Sequence, residues 1–457
     1  MTDLDVIVVG AGTAGANVAH QFSRRGRRVL LLERRPADAA GAQWHNGVLD
    51  RHFDEAGLDR PEAPERVADG GSLHMRTGRP GTRLTMHDLP TVAADMARLG
   101  DRLRRLAVEG GVELIDRVTD LDVEVDPGTG RIRSVTVRAE GHPGPASFAA
   151  ALFVDASGRR GVLRRHAPAL APWCRPLRGD ELCSAADVHH RIADRSGAER
   201  FLDRHGARPG DSVTYVGISG GFSTRAVTVS ADLERVGILV GCLANGRYST
   251  GPRLVADFLA DEPWIGEATS TGAGVIPLRR PFARTTAPGL ALVGDAACQV
   301  FPAHGSGVGI GLLAGSMLAE GVADADDPGD PDRLWRGYQA PFQRRHGTDL
   351  IGFDVLRRAT TRLGEAGVDA MVRSGVIDED TTRAGLEQRW AVPSPAAAAR
   401  AGGRMARHPR LAATMAPALA RAQAARAHAS RYPAEADVDA LARWEARAEK
   451  LVGPLPR

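Results

Sequence analysis

Gly10-Ala11-Gly12-Thr13-Ala14-Gly15 follows the apolar run "DVIVVG" and opens a segment with helical spacing, "AGTAGANVAHQFSRRG". Glycines at these offsets meet three separate needs. Gly10 permits a tight turn, Gly12 lets the backbone approach a diphosphate, and Gly15 lets helix and strand pack closely. The amides and partial positive charge of a helix N-terminus then hold the phosphates. The next apolar run, "RRVLLLERR", reaches Glu33 at its end. A carboxylate there accepts hydrogen bonds from both hydroxyls of an adenosine ribose. The chemistry is dinucleotide binding, with Gly10, Gly12, Thr13, Ala14, Gly15 and Glu33 as the expected contacts. Arg34 and Arg35 follow the acid. They could favour an additional phosphate, but they suit solvated surface charges better.

A second constellation lies late in the chain, "GLALVGDAACQVFPAHGSGVGIGLLAG", residues 289–315. "GLALV" reads as a short buried strand, and Asp295 stands just beyond it. Pro302-x-x-Gly305-x-Gly307 follows, then a helix from about Gly309. A stretch so poor in bulky side chains does not fill a core. It lets backbone amides approach a ligand. Between the two constellations, "LFVDASGRRGVLRR" runs from a strand into a turn.

Taken in order, GAGxAG…E, VDASG and GDAA…PxxGxG resemble the FAD-dependent oxidoreductases related to p-hydroxybenzoate hydroxylase. That superfamily also holds geranylgeranyl reductases, lycopene cyclases and flavin-dependent halogenases. The resemblance covers roughly residues 1–340. It implies that Gly10, Gly12, Ala14 and Gly15 line the FAD pyrophosphate and that Glu33 takes the adenosine ribose. It also implies that Val118, in "DRVTDL", makes a backbone contact to adenine. Asp295 would bind the ribityl chain, and Gly307, Val308 and Gly309 would bring amides near the flavin pyrimidine. A helix N-terminus at that edge stabilises negative charge on a reduced flavin. Many relatives carry an arginine at the start of the helix before the adenine strand. Met96 stands there instead, and Arg98, two residues on, is the candidate to reach FAD.

The departures from the family also inform. Asp155-Ala156-Ser157-Gly158 is closer to the reductase, cyclase and halogenase branches than to the hydroxylases. No cysteine follows the ribose acid, as it usually does in geranylgeranyl reductases. The halogenases' tryptophan-rich segment is missing, and the only lysine is Lys450, so their catalytic lysine is missing too. On the substrate side, His304 lies within the flavin-facing loop. It could donate to a substrate or to flavin N5, or simply bond to backbone. Trp44 and His45 would shape the pocket, and Cys298 reads as a small buried apolar residue. No paired carboxylates, Ser/His/Asp order or metal cluster stands out, so the flavin would carry the chemistry. With no second clear GxGxxG, a reductant such as NAD(P)H would bind transiently, or a partner would supply the electrons.

These residues need elements to hold them. Residues 5–33 read as a βαβ unit with a parallel sheet and Gly26 as a helix C-cap. Residues 91–109 read as one amphipathic helix. Strands follow at "GVELIDRVTDLDVEVD", "RIRSVTVRAE" and "FAAALFVDASG", and "GGFSTRAVTVSADLERVGILVGCL" reads as a hairpin. The expected fold class is α/β: a Rossmann-like FAD-binding domain with an inserted substrate domain built on a β-sheet, plus a mainly helical C-terminal region. The expected domains are 1–174 with 286–340 for FAD, 175–285 for substrate, and 341–457 as helices broken at Pro393, Pro409, Pro417 and Pro433.

Composition sets outer limits. The chain has 457 residues and a net charge of +3, so charge alone forces no polyanion partner and no nucleic acid is expected. No signal peptide and no run of about 18 apolar residues is present, which, with four scattered cysteines, points to the cytoplasm. Residues 388–434 hold eight arginines and no acid. Such a segment suits a solvated helix face, or peripheral contact with an anionic membrane. The favoured function is an FAD-dependent oxidoreductase that reduces a C=C bond, or dehydrogenates, on a small or lipid-like organic substrate. The alternatives are an NAD(P)H- and O2-dependent flavin monooxygenase and a non-redox FAD-dependent cyclase. A non-enzymatic FAD-binding protein is the blandest option.

Overall fold

In Leu4–Val9 the β-branched residues Val6, Ile7, Val8 and Val9 are buried, and the segment forms the central strand of an eight-stranded sheet. It pairs in parallel with Val29–Leu32 on one side and Ala146–Asp155 on the other. The helix Thr13–Ser23 makes the crossover. Gly26 closes this helix as expected: at φ +75° it donates to Ser23 O (2.9 Å), and Arg27 N donates to Phe22 O (3.2 Å). The sheet continues through Glu113–Ile115 at one edge and through Leu290–Leu292 and Thr286–Ala287 at the other. Val118–Val125 and Ile132–Ala139 form an antiparallel flap on Ala146–Asp155. The helices Thr13–Ser23 and Val308–Val322 bury Val18, Phe22, Ala314 and Leu318 against the sheet residues Val6, Val8 and Leu31. The computed structural model describes residues 4–68, 71–391 and 394–454.

Residues 91–109 are not one helix. Thr91–Asp95 is a strand paired with His45–Leu49, and the helix spans Met96–Glu109. The apolar and polar alternation of "TVAAD" suits a half-buried strand. Asp95 then starts the helix, its carboxylate accepting from the amides of Ala97 (2.9 Å) and Arg98 (3.2 Å).

A second, seven-stranded sheet runs in the order Ile265–Pro277, Leu182–Ile192, Arg235–Leu243, Ser223–Val229, Ser212–Val216, Leu73–Thr77, Arg83–Met86. The expected hairpin is its Ser223–Val229 and Arg235–Leu243 pair. The last two strands come from residues 73–86, ahead of the 175–285 segment. They join through a parallel contact between Ser212–Val216 and Leu73–Thr77. Phe201, Phe258 and Trp264 cover one face of this sheet. The other face carries Cys183, Ala185, Asp187 and His189, the alternate residues of one strand, into a cavity.

The C-terminal region is helical, as expected, with helices at Thr348–Arg373, Pro395–Ala406, Pro409–Ala429 and Val438–Val452. Pro417 lies inside a helix rather than ending one. Ala418, Ala422 and Ala425 are fully buried on that helix, so packing holds it together across the missing amide. Pro393 lies outside the described residues. A buried ion network docks the helices onto the rest of the fold. Asp354 bonds Arg357 (3.0 Å) and Arg358 (3.1 Å), and Arg358 reaches Glu181 (3.4 Å). Burial alone would raise the Asp354 carboxyl, but Arg358 and Arg357 outweigh it and hold the group far below the usual range. Among the described residues no helix is long and apolar enough to cross a membrane.

Candidate functional site

One cavity of about 2500 Å3 is lined from both sheets and from the C-terminal helices. At one end the Gly10–Thr13 turn is tied down from three sides. Glu33 Oε2 accepts from the Ala11 amide at 2.9 Å, and its Oε1 accepts from the Arg35 amide at 3.0 Å. The buried Arg104 donates to the Ala11 carbonyl at 3.1 Å. Arg35 donates to the Gly41 carbonyl at 2.7 Å. The first bond within the following helix is Ala16 N to Gly12 O (2.9 Å), and no side chain caps it. The amides of Thr13, Ala14 and Gly15 are therefore left for a ligand.

The three glycines separate by cause. A methyl on Gly10, at φ +106°, would sit 2.4 Å from the Ala156 carbonyl oxygen, and one on Gly15 would sit 1.9 Å from Gly10 O. Both are demanded by the fold. A methyl on Gly12 would meet only Gly41 Cα, at 3.4 Å. Gly10, Gly12, Thr13, Ala14, Glu33, Arg34 and Val118 all line the cavity. The Val118 amide is already engaged by the Glu33 carbonyl at 2.9 Å. Arg98 does not line it. Its side chain is exposed on the helix Met96–Glu109 and lies 3.5 Å from Asp95, one helical turn back. Arg104, further along the same helix, is the arginine that faces the turn.

At the other end, Asp295 is placed by a chain of hydrogen bonds. Gly294 N donates to Gln299 Oε1 (2.7 Å), Gln299 Nε2 to Tyr338 Oη (2.8 Å), and Tyr338 Oη to Leu292 O (2.9 Å). No hydrogen bond among the described residues reaches the Asp295 carboxylate. Burial raises it to about 6, against the pull of Arg159. The helix Val308–Val322 also lacks a side-chain cap, and its first internal bond is Gly311 N to Gly307 O (2.8 Å). The amides of Val308, Gly309 and Ile310 are left unpaired. Gly307 and Val308 line the cavity, whereas Gly309 does not. A methyl there would lie 1.8 Å from His52 Nδ1, so the glycine itself is required by packing on His52.

His304 lines the cavity beside Asp295 and Gly307. Its Nδ1 accepts from the Ser306 amide at 3.3 Å, which assigns the ring proton to Nε2, and among the described residues no partner of normal hydrogen-bond geometry meets Nε2, which faces the Gly385 backbone. Burial pushes the ring down to about 4 against the Gly385 backbone, so it is neutral at pH 7. It can donate one hydrogen bond and carries no charge. Trp44 packs over Gly272 and Gly274 of the second sheet. Cys298 is fully buried and burial pushes its thiol up to about 12, as inert as a small apolar group.

Several contributions go beyond the sequence reading. Asp155, named there only as part of a motif, has a clear role: its Oδ1 accepts from Ser157 Oγ (2.6 Å), and its Oδ2 from the amides of Leu163 and Arg164 (both 2.8 Å). It shapes the turn that carries Arg159 and Arg160 to the cavity wall. Their signal was the "GRR" after "VDAS". Arg104 gave none, being one of several arginines on an amphipathic helix. Phe222, Phe353, Leu356, Met371, Met405 and Met415 line the same cavity and make an apolar stretch of its wall, with Arg357, Asp378, Arg400 and Arg404 as charged neighbours.

Two uncapped helix N-termini, a carboxylate without donors and an elongated cradle meet in one cavity. They fit a molecule with a diphosphate, a polyhydroxyl linker and a flat ring, and FAD has those parts. The comparisons agree. Residues 5–171 match the family model described as FAD dependent oxidoreductase. A digeranylgeranylglycerophospholipid reductase of Sulfolobus acidocaldarius is 22% identical over 82% of this chain and 81% of that one. The Methanothermobacter thermautotrophicus digeranylgeranylglycerophospholipid reductase 2 is 26% identical over 81% of this chain and 91% of its own. A menaquinone reductase of Mycolicibacterium smegmatis is 25% identical over 70% and 76%. In fold, the chain is similar to a geranylgeranyl bacteriochlorophyll reductase-like protein of Thermoplasma acidophilum. The TM-score is 0.72 at 16% identity, covering 91% of this chain and 99% of that one.

Proposed function

We propose that this chain, an FAD-dependent oxidoreductase, reduces carbon–carbon double bonds in a prenyl-chain lipid. The single observation that carries the reading is the continuity of the cavity: the dinucleotide cradle, Asp295, His304 and the apolar stretch of wall all line one space. A long hydrocarbon fits such a wall, because it loses water there and asks for no hydrogen bonds. The relatives named as reductases of digeranylgeranylglycerophospholipid and of menaquinone support the same substrate class.

When bound, FAD supplies two-electron transfer. The chain's own residues bind and orient. The amides of Thr13, Ala14 and Gly15 would hold the pyrophosphate, and Arg159 and Arg160 line the same cavity. Glu33 takes the ribose, Val118 lies at the adenine, and Asp295 accepts from ribityl hydroxyls. The unpaired amide of Val308 would lie at the pyrimidine edge. His304 Nε2–H donates to a substrate or flavin atom. The cofactor domain is 1–174 with 286–340, joined to the sheet of 175–285 and its two borrowed strands. NAD(P)H, bound transiently, or a partner protein supplies electrons. The basic helices of 388–434 touch an anionic membrane, where such a lipid resides. Unpaired thiols at Cys174, Cys183, Cys242 and Cys298 suit the cytoplasm.

The test is to reduce the FAD-loaded protein with NADPH, without oxygen, and add a geranylgeranyl lipid. The expected result is reoxidation of the flavin and a product with added hydrogen. No reoxidation without oxygen, followed by lipid-dependent oxygen uptake and an oxygenated product once air is admitted, would replace this reading with the monooxygenase. An isomerised product with no net electron consumption would replace it with the cyclase.

A further inference from the structure

The cavity has a second polar end, away from His304. Near His304, a methyl on Gly305 would lie 3.0 Å from Ile276 Cδ1, and Ile276 pairs with Cys183 across the second sheet. Six residues along the same strand face, about 20 Å at ~3.3 Å per residue, stands His189. Its row across the sheet holds Ser270, Gly237, Thr228 and Ser212. Asp187 Oδ2 accepts from His189 Nε2 (3.0 Å) and from the His45 amide (3.0 Å), and the rings of His45 and His189 lie 4.1 Å apart.

Arg235 begins the neighbouring strand and lines both this end and an adjoining cavity of about 360 Å3. That side cavity is walled by His45, Arg66, Asp95, Arg98 and Arg235, among others. Three guanidiniums therefore surround a space beside two imidazoles. Arg98 is 3.5 Å from Asp95, beyond a good charge-assisted bond, whereas Arg66, beside Asp50, is already engaged. Arg235 makes no ion pair among the described residues, although the Asp232 carboxylate feels its charge. Burial and then His189 lower the His45 ring, and Arg235 adds to them against Asp187 and Asp95.

We propose that Arg235, flanked by Arg66, Arg98 and the His45–His189 pair, is a phosphate-binding mouth that grips the anionic end of an entering ligand about 20 Å from the His304 loop. The guanidinium fork matches phosphate oxygens two at a time, and the His45 ring and the sheet hydroxyls add donors. The ligand chemistry is a phosphate or diphosphate ester. It can come from a lipid head group or from a dinucleotide reductant, and the substrate version rests on the proposed function above.

The experiment uses the FAD-loaded chain and calorimetric titration with inorganic pyrophosphate, in wild type, Arg235→Gln and Arg235→Lys. Wild type should bind, Arg235→Gln should bind about tenfold more weakly, and Arg235→Lys should recover part of the loss, with an unchanged flavin spectrum throughout. Competition by NADPH and, separately, by geranylgeranyl diphosphate then names the source, and geranylgeraniol should not compete. No pyrophosphate binding by wild type, or equal binding by all three proteins, overturns the proposal. Pyrophosphate binding is read without turnover, so failure of the reductase reading leaves this result standing.

Discussion

A methyl group built on Gly12 would lie 3.4 Å from the Cα of Gly41, so these two glycines approach to ordinary contact distance and leave room for one more carbon. The protein itself does not need glycine at position 12. Gly12→Ala should therefore fold like wild type, by circular dichroism and thermal melting, and lose FAD, read as absent flavin absorbance after purification. Gly12→Val should lose it as well. Retained flavin in both variants would show that no diphosphate passes over this turn. Gly15→Ala should instead lower stability by several kcal/mol, since its methyl would sit 1.9 Å from Gly10 O.

Asp295 predicts a trade between stability and binding. Its carboxyl is raised to about 6 by burial. A raised carboxyl is harmless below its unfolded value near 4; stability falls as pH climbs from there through about 6, because the native state holds a proton the unfolded chain has released. Asp295→Asn removes that loss. The apo variant should melt higher than wild type at pH 8, by up to about 2 kcal/mol, and equally at pH 4. Its FAD should dissociate more readily, measured by flavin fluorescence on dilution. Identical melting at pH 8 would mean the carboxylate has water or donors enough.

Three buried histidines cluster near the flavin-facing loop, and each has a ring nitrogen that no partner of normal hydrogen-bond geometry meets among the described residues: His52, His304 and His346. Burial lowers them to about 3, 4 and 4 respectively. For a lowered imidazole, the unfolded chain takes up a proton near pH 6.5 and the native protein does not. Stability should be full above pH 6.5 and fall steadily toward pH 4. Each site can contribute on the order of 3 kcal/mol. His346→Gln should flatten part of that fall in a series of urea melts; an unchanged slope would count against a buried neutral ring.

The two arginines on one helix should behave oppositely. Arg104→Met removes the donor to the Ala11 carbonyl and should weaken FAD binding at least tenfold, with a stability loss of about 2 kcal/mol. Arg98→Ala should leave the FAD dissociation constant within about twofold and stability within about 0.5 kcal/mol, as for an exposed ion pair. A large FAD effect at Arg98 would reverse this assignment.

Cys298→Ala should keep FAD and turnover, because a thiol pushed up to about 12 is not a thiolate at working pH. Loss of turnover with normal flavin content would give the thiol a role in the chemistry.

How much could be read from residue order alone follows from what each feature depends on. Gly10, Gly15 and Glu33 were legible because a strand, a turn and a helix N-terminus are built from neighbours in sequence, and backbone sterics fix which residues suit them. The late Gly294–Gly311 stretch was legible for the same reason. Thr91–Asp95 was misread as helix because its partner, His45–Leu49, is distant in sequence and strand pairing overrode the helical pattern. The strands at 73–86 were missed as members of the second sheet for the same reason.

Tertiary structure alone decided the rest. His304 is neutral because the chain folds around it and excludes water, and desolvation is set by residues from every part of the chain. Arg104 rather than Arg98 meets the Gly10–Thr13 turn because helix rotation against the sheet selects one face. Gly12 is free and Gly15 is not because Gly41 stands just far enough away, while Gly10 O does not. Local sequence determined that a dinucleotide cradle would form; distant packing determined which side chains inside it are charged, neutral or within reach.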